Sequence, residues 1–323
     1  MMTVIHASHK IITYAKQIHY IDTGYCRSMF ADACEKAAKF VRPVIVSGRR
    51  FDGKVEAGCG TFFVINNEGW IITAGHIFDS YSKYQSDQNK LKEIEELNKK
   101  HSSIAGLPRN ELKPDPSWIT NHSFWWGWDG VRLTNAYVNR QIDITIGKLE
   151  PFDPSWVKEY PVFRDPETMR PGTSLCRLGF PFVDVASDFD EATNSFRIRK
   201  GILPMPLFPN EGMHTRNVLK GRSVDGNYEM LYVETSTPGL RGQSGGPIYD
   251  RECRICGVQV QTAHLPLGFH PTVEYEGKTV VENQFLNVGM GVHVKTIASM
   301  LKDRQVKFET GGAKESGGFR IVD

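Results

Sequence analysis

A mainly β fold, with its strands in two groups and helices at only a few places, is what this 323-residue chain predicts. Two observations carry that reading. Short apolar runs bounded by Gly, Pro, Asn and Asp recur at 44–46, 60–65, 70–73 and 143–149, then again at 174–181, 228–235 and 257–262. Apolar residues at helical spacing are confined to 27–41 and 85–100. The length allows two average domains, but strands of this kind also build longer single bodies.

The elements follow in order. From Arg27 to Val41 the residues Met29, Phe30, Ala33, Ala37, Ala38 and Val41 form an uneven apolar face, which predicts an N-terminal helix. Strands at 44–46, 60–65 and 70–73 come next, the last two joined through the turn-rich Asn66-Asn67-Glu68-Gly69. Leu91, Ile94 and Leu97, at spacing three among Lys, Glu and Gln, predict a mostly exposed helix over 85–100. Three of the six tryptophans then fall within Phe124-Trp125-Trp126-Gly127-Trp128. Such rings pack an appended segment against a core or clamp a peptide or partner. Residues 143–149 read as an apolar strand interrupted by the carboxylate of Asp143, and Ser174 to Pro181 as the start of the second group. From Asp184 to Gly226, with Pro204, Pro206 and Pro209 among charged residues, an irregular loop region is expected. Tyr228 to Thr235 returns to strand alternation and delivers the chain to Leu240-Arg241-Gly242-Gln243-Ser244-Gly245-Gly246-Pro247.

That octapeptide carries the chemistry. A glycine two residues before a serine lets the N–H groups of Gly242 and Ser244 point into one small space, where they can hold the oxyanion of a tetrahedral intermediate. Ser244 is then the nucleophile. Upstream, Trp70 to Phe78 reads as a buried strand with His76 at its end. An isolated Asp143 in an apolar strand needs a hydrogen-bonding or charged partner, and His76 supplies one. Base, acid and nucleophile then occur in the order His76, Asp143, Ser244.

Thr73-Ala74-Gly75-His76, Asp143-Ile144-Thr145-Ile146 and Gly242-Gln243-Ser244-Gly245-Gly246-Pro247 resemble the three signature blocks of trypsin-like serine proteases, over roughly residues 42–303. The chain is most similar to the bacterial HtrA/Deg-like branch, where a neutral residue such as Gln243 precedes the serine. The resemblance implies a chymotrypsin-like double β-barrel with an N-terminal helix, a helical insert and a C-terminal helix. The last follows from Asn287 to Val294 and Lys295 to Leu301, which resemble the closing strand and terminal helix of the family. The implied organisation is an N-terminal helical extension (1–41), a peptidase domain (42–303) with an insert at about 80–135, and a disordered tail (304–323), too short for the PDZ domain that many HtrA proteases carry. Catalytic residues carried over are His76, Asp143 and Ser244, with an oxyanion hole from Gly242 and Ser244. The specificity pocket takes Pro238 at its floor, Arg241 at its entrance, Val260, Gln261 and Thr262 from the strand beside the substrate, and the region 288–291. Glu234 is not expected to reach it. With no carboxylate at Pro238, a small or medium apolar residue is expected before the cut bond. Because Gln243 has no charge to pair with a new N-terminus, control is expected from the 184–226 loops or from a partner on the insert.

Other classes are weighed against this one. Gly242-Gln243-Ser244-Gly245-Gly246 also satisfies an α/β-hydrolase elbow, but Gly245-Gly246-Pro247 opens a helix poorly. A protease-fold binding or regulatory protein, its site closed until a partner binds, stays open. The 39 basic and 37 acidic residues nearly cancel, so no nucleic-acid or anionic-membrane partner is expected; the partner is a protein or peptide substrate. Six scattered cysteines predict free thiols. Cys253 and Cys256 have half a zinc spacing, with His264 and His270 as the only nearby complements, and a hairpin turn is the preferred reading; no metal or cofactor is implied. Met1 to Lys10 lacks the apolar core of a secretory leader, which predicts a soluble, cytoplasmic protein.

Overall fold

Six antiparallel strands curl into a first sheet in the order β4-β1-β2-β3-β6-β5. They are β1 (Val41–Arg50), β2 (Val55–Val64), β3 (Trp70–Ala74), β4 (Ile119–Trp126), β5 (Arg132–Asn139) and β6 (Ile144–Glu150). The computed structural model describes residues 29–102, 111–281 and 284–311; the N-terminal extension before residue 29 and the tail from residue 312 lie outside them. Val44, Phe62, Phe63, Ile71, Ile72, Ile144 and Ile146 are buried inside this sheet, as half-buried strands of β-branched and aromatic residues should place them.

The second sheet comprises β7 (Val162–Arg164), β8 (Ser174–Gly179), β11 (Phe208–Arg222), β12 (Glu229–Thr235), β13 (Pro247–Tyr249), β14 (Arg254–Pro266), β17 (Phe285–His293) and β18 (Glu309–Gly311). Its order is β13-β8-β11-β12-β17-β14-β7-β18, and a further β13–β14 pairing closes six of these strands into a ring. Small hairpins, β9 (Ser187–Asp190) with β10 (Ser195–Ile198) and β15 (Thr272–Tyr275) with β16 (Lys278–Val281), stand outside it. The mainly β, chymotrypsin-like double-barrel expectation holds. Helices α1 (Ala31–Ala38), α2 (Asp79–Ser102) and α3 (Val294–Asp303) occupy the N-terminal, insert and C-terminal positions. No described helix is long and apolar enough to cross a membrane.

Four expectations need correction. The N-terminal helix ends at Ala38 rather than reaching Val41, because Val41 already pairs with Phe63 in the first sheet. The stretch expected as an appended insert contributes β4 and β5, the two edge strands of that sheet, so the true addition is α2 and its return. Trp126 faces the core at 2% exposure and stands edge-on to Phe62. The 184–226 stretch is largely strand: β11 runs 15 residues between β8 and β12. Its side chains are mostly exposed, which erased the apolar alternation that marks a half-buried strand. Residues 304–311 are ordered rather than a loose tail; Val306 is buried, Phe308 meets Phe163 edge-on, and β18 pairs in parallel with β7. Cys253 lies in the β13–β14 turn of the expected hairpin and Cys256 within β14 itself, and burial pushes the Cys253 thiol up to about 12.

Helix α3 buries Val294, Ile297, Met300 and Leu301 and is capped by the neutral ring of His293, whose Nδ1 accepts the Lys295 N–H at 3.1 Å.

Trp126→Ala is expected to cost about 3–5 kcal/mol in urea denaturation, whereas Leu97→Ala on α2 stays within about 0.5 kcal/mol. Equal effects would return β4 to the status of a decoration.

Burial pulls His293 from 6.5 down to about 4, helped by the neighbouring His214 and Lys295. The unfolded chain therefore takes up this proton first, so the contribution is complete above about pH 6.5 and is lost as pH falls toward 4. His293→Asn, which keeps a cap acceptor without titrating, should flatten the fall in urea midpoint across that window.

Candidate active site

His76 lies in a single 3₁₀ turn, Gly75–Phe78, that joins β3 directly to α2, two residues beyond the end of the strand at Ala74. Asp143 sits in the turn before β6, with φ +66°, rather than inside an apolar strand. That turn is tightly built. Asn139 accepts the N–H groups of Gln141 and Ile142 through its side chain and that of Asp143 through its carbonyl, while Tyr232 of the second barrel donates to the Ile142 carbonyl at 3.3 Å.

The two residues meet twice. Asp143 Oδ2 is 2.8 Å from His76 Nδ1, and Oδ1 accepts the backbone N–H of His76 at 2.7 Å. A Cβ on Gly75 would lie only 3.1 Å from Oδ1, so the approach needs a glycine there. A carboxylate only accepts, which places the proton on Nδ1 and leaves Nε2 as an acceptor facing the groove. The histidine side chain is 38% exposed and the carboxylate 25%.

Ser244 comes from the second barrel. The loop that carries it is pressed against the first barrel: the Thr61 N–H donates to the Ser244 carbonyl at 2.8 Å, and Thr61 Oγ1 donates to the Gly242 carbonyl at 2.7 Å. Gly245 packs where any Cβ would collide with the Thr61 carbonyl and Thr73 Oγ1. Gly242, at φ +98°, sits against the Phe180 carbonyl. Among the described residues neither the Gly242 nor the Ser244 N–H has a protein acceptor, and no hydrogen bond joins the Ser244 hydroxyl to His76. His76, Ser244, Gly242 and Arg241 line one groove of about 660 Å³, and His76, Asp143, Tyr232, Val260 and Gln261 line a second of about 860 Å³ on the other side of the imidazole.

Residues 60–258 match the family model of the trypsin-like peptidase domain, which spans all three positions. The chain belongs to that family. It is a serine protease by that membership. Among solved structures it is similar to the Rv3671c protease from M. tuberculosis in its active form (12% identity, TM-score 0.46, 86% of each chain covered) and to the HtrA-type protease AlgW with a tripeptide (12% identity, TM-score 0.43, 86% of this chain and 63% of that one). The chain thus spans under two thirds of the length of the latter. No curated protein matches it by sequence.

The remaining expected positions distribute as follows in this peptidase. Gln243 is fully buried, accepting the Leu240 N–H at 3.0 Å and donating to the Phe208 carbonyl at 3.2 Å, so a neutral network holds the serine loop from inside. Arg241 is exposed at the groove mouth. Thr262 donates to the Gly239 carbonyl at 2.7 Å, tying β14 to the segment before the serine. Pro238 turns its carbonyl to Asn210. Glu234 is bonded to Arg216 and Thr215. Sequence reasoning missed Thr61, Tyr232, Gln259 and Arg177. For Arg177 a signal existed: a lone charge in the apolar run Leu175-Cys176-Arg177-Leu178 is the same anomaly that pointed to Asp143.

Thr61→Val removes the donor to a buried carbonyl and should lower stability by about 1–3 kcal/mol in denaturant titration. A neutral result would mean that the loop is seated by packing alone.

Proposed function

We propose that this chain is a serine endopeptidase that cleaves peptide bonds by acyl transfer through His76, Asp143 and Ser244. The observation that supports it best is the doubly hydrogen-bonded Asp143–His76 pair, which leaves Nε2 as a free base on the same groove as Ser244. His76 takes the hydroxyl proton as Ser244 attacks the carbonyl carbon and returns it to the leaving amine; Asp143 fixes the tautomer and stabilises the imidazolium. The unpartnered N–H groups of Gly242 and Ser244 receive the oxyanion. Water then repeats the sequence on the acyl-enzyme and frees Ser244.

A second reading has its own support. The hydroxyl and the imidazole are not hydrogen-bonded to each other, which suits a protease-fold regulatory protein whose site is completed by a partner. Helix α2, starting immediately after the His76 turn and largely solvent-facing, is the surface we assign to such a partner. The five cysteines among the described residues are free thiols, which supports the cytoplasmic location expected from the sequence.

A fluorophosphonate probe should label the wild type, while Ser244→Ala and His76→Ala abolish both labelling and peptide hydrolysis and keep a cooperative unfolding transition. Asp143→Asn should lose most activity. Wild-type turnover by Ser244→Ala would refute the nucleophile assignment, and absence of labelling in a folded wild type would favour the regulatory reading.

A further inference from the structure

The segments expected to wall the specificity pocket close around a side chain from an unexpected strand. Arg177 on β8 is 1% exposed. Its guanidinium donates to the Thr237 carbonyl at 2.9 Å and to Thr237 Oγ1, on the segment before the serine. It also reaches Gln259 Oε1 at 3.3 Å on β14. On β17, a Cβ at Gly289 would collide with the same guanidinium. Gln259, 2% exposed, fills the space between this cation and Gly239, where a Cβ would collide with its amide, and its Nε2 donates to the Gln261 carbonyl at 2.8 Å.

This cation has no counter-ion among the described residues: Arg177 makes no ion pair, and its Nε has no hydrogen-bond partner at all. Glu234, two strands away on β12, is taken by Arg216. Burial pulls the guanidinium down to about 10, which leaves it charged at neutral pH. An uncompensated buried charge is costly and is retained where a ligand completes it. The amide oxygen of Gln259 is a neutral acceptor in the place where a carboxylate would make stronger, charge-assisted and bidentate bonds.

We propose that Arg177 is the specificity-determining residue of the pocket and selects an acidic side chain, Glu or Asp, immediately before the cut bond, the Gln259 amide occupying the place until the substrate carboxylate displaces it. This rests on the acyl-transfer reading of Ser244 and replaces the apolar preference expected when Pro238 was taken as the pocket floor.

The full chain carrying Ser244→Ala, titrated with fluorescein-labelled peptides differing only in a C-terminal Glu, Gln, Leu or Lys, tests it by anisotropy. The Glu peptide should bind at least tenfold more tightly than the other three, a ratio that Arg177→Met removes. Should Arg177→Met not fold, Gln259→Ala keeps the cation, clears its stand-in and should widen the Glu-to-Leu ratio. Equal affinities, including no measurable binding of any peptide, or a preference for Leu or Lys overturn the assignment, as does a Glu preference that survives Arg177→Met. Hydrolysis of the matching internal peptides by the wild type separates the two readings. An acid preference in binding without turnover sinks only the acyl-transfer reading; turnover after Leu or Lys sinks only the pocket assignment.

Discussion

The hydrogen bonds from Thr61 to the serine loop set the terms for the whole candidate site, because its residues come from different barrels. His76 and Asp143 hang from the first, Ser244 from the second, and nothing within either barrel fixes the distance between them. Thr61 uses both its N–H and its hydroxyl on carbonyls of the Gly242–Ser244 segment, so two bonds from one residue register one barrel on the other. Gly245 and Gly246 allow that approach, since a Cβ on either would strike backbone of β2 or β8. Tyr232 makes the reciprocal connection by donating to the turn that carries Asp143.

How much of this was legible in the chain depends on how local each signal is. The pairing of His76 with Asp143, the close approach at the serine-loop glycines and the cores of β2, β3, β6, β8 and β12 are legible in the chain, since short apolar runs and bare glycines report directly on burial and backbone approach. What stayed hidden needed partners far away in sequence. β11 looked irregular because its neighbours β8 and β12 satisfy its backbone while its side chains face water. β4 looked like part of an insertion because its aromatic cluster fits a decoration as well as an edge strand. The start of the tail reads as disordered in the sequence, yet Phe308 packs against Phe163.

The pocket illustrates the limit from the other side. Counting back from Ser244 names only residues near it in the chain, whereas the cation we propose as the pocket's selector, Arg177, lies 67 residues upstream of the serine on β8. Charge in an apolar run signals a need for pairing: Asp143 meets it with His76, while Arg177 has only neutral hydrogen-bond acceptors among the described residues. Gln243 shows a milder version of the same thing: its neutrality was evident, but its use as an internal strut between Leu240 and Phe208 was not.

The union of the His76 turn with α2 has a mechanical consequence. The turn passes without a break into a helix of 24 residues, about 36 Å long at 1.5 Å per residue. Asp87, 1% exposed, pins the first half of that rod to the sheet by accepting the Ile119 N–H at 2.9 Å, its charge balanced within the helix by Lys83 and Lys90. The half of α2 nearest His76 is thus clamped along β4, with Ser80 and Gln88 bonded to it as well, and Asn98 ties the far half to Leu112. A displacement of the far half therefore reaches the His76 turn only through that clamped stretch.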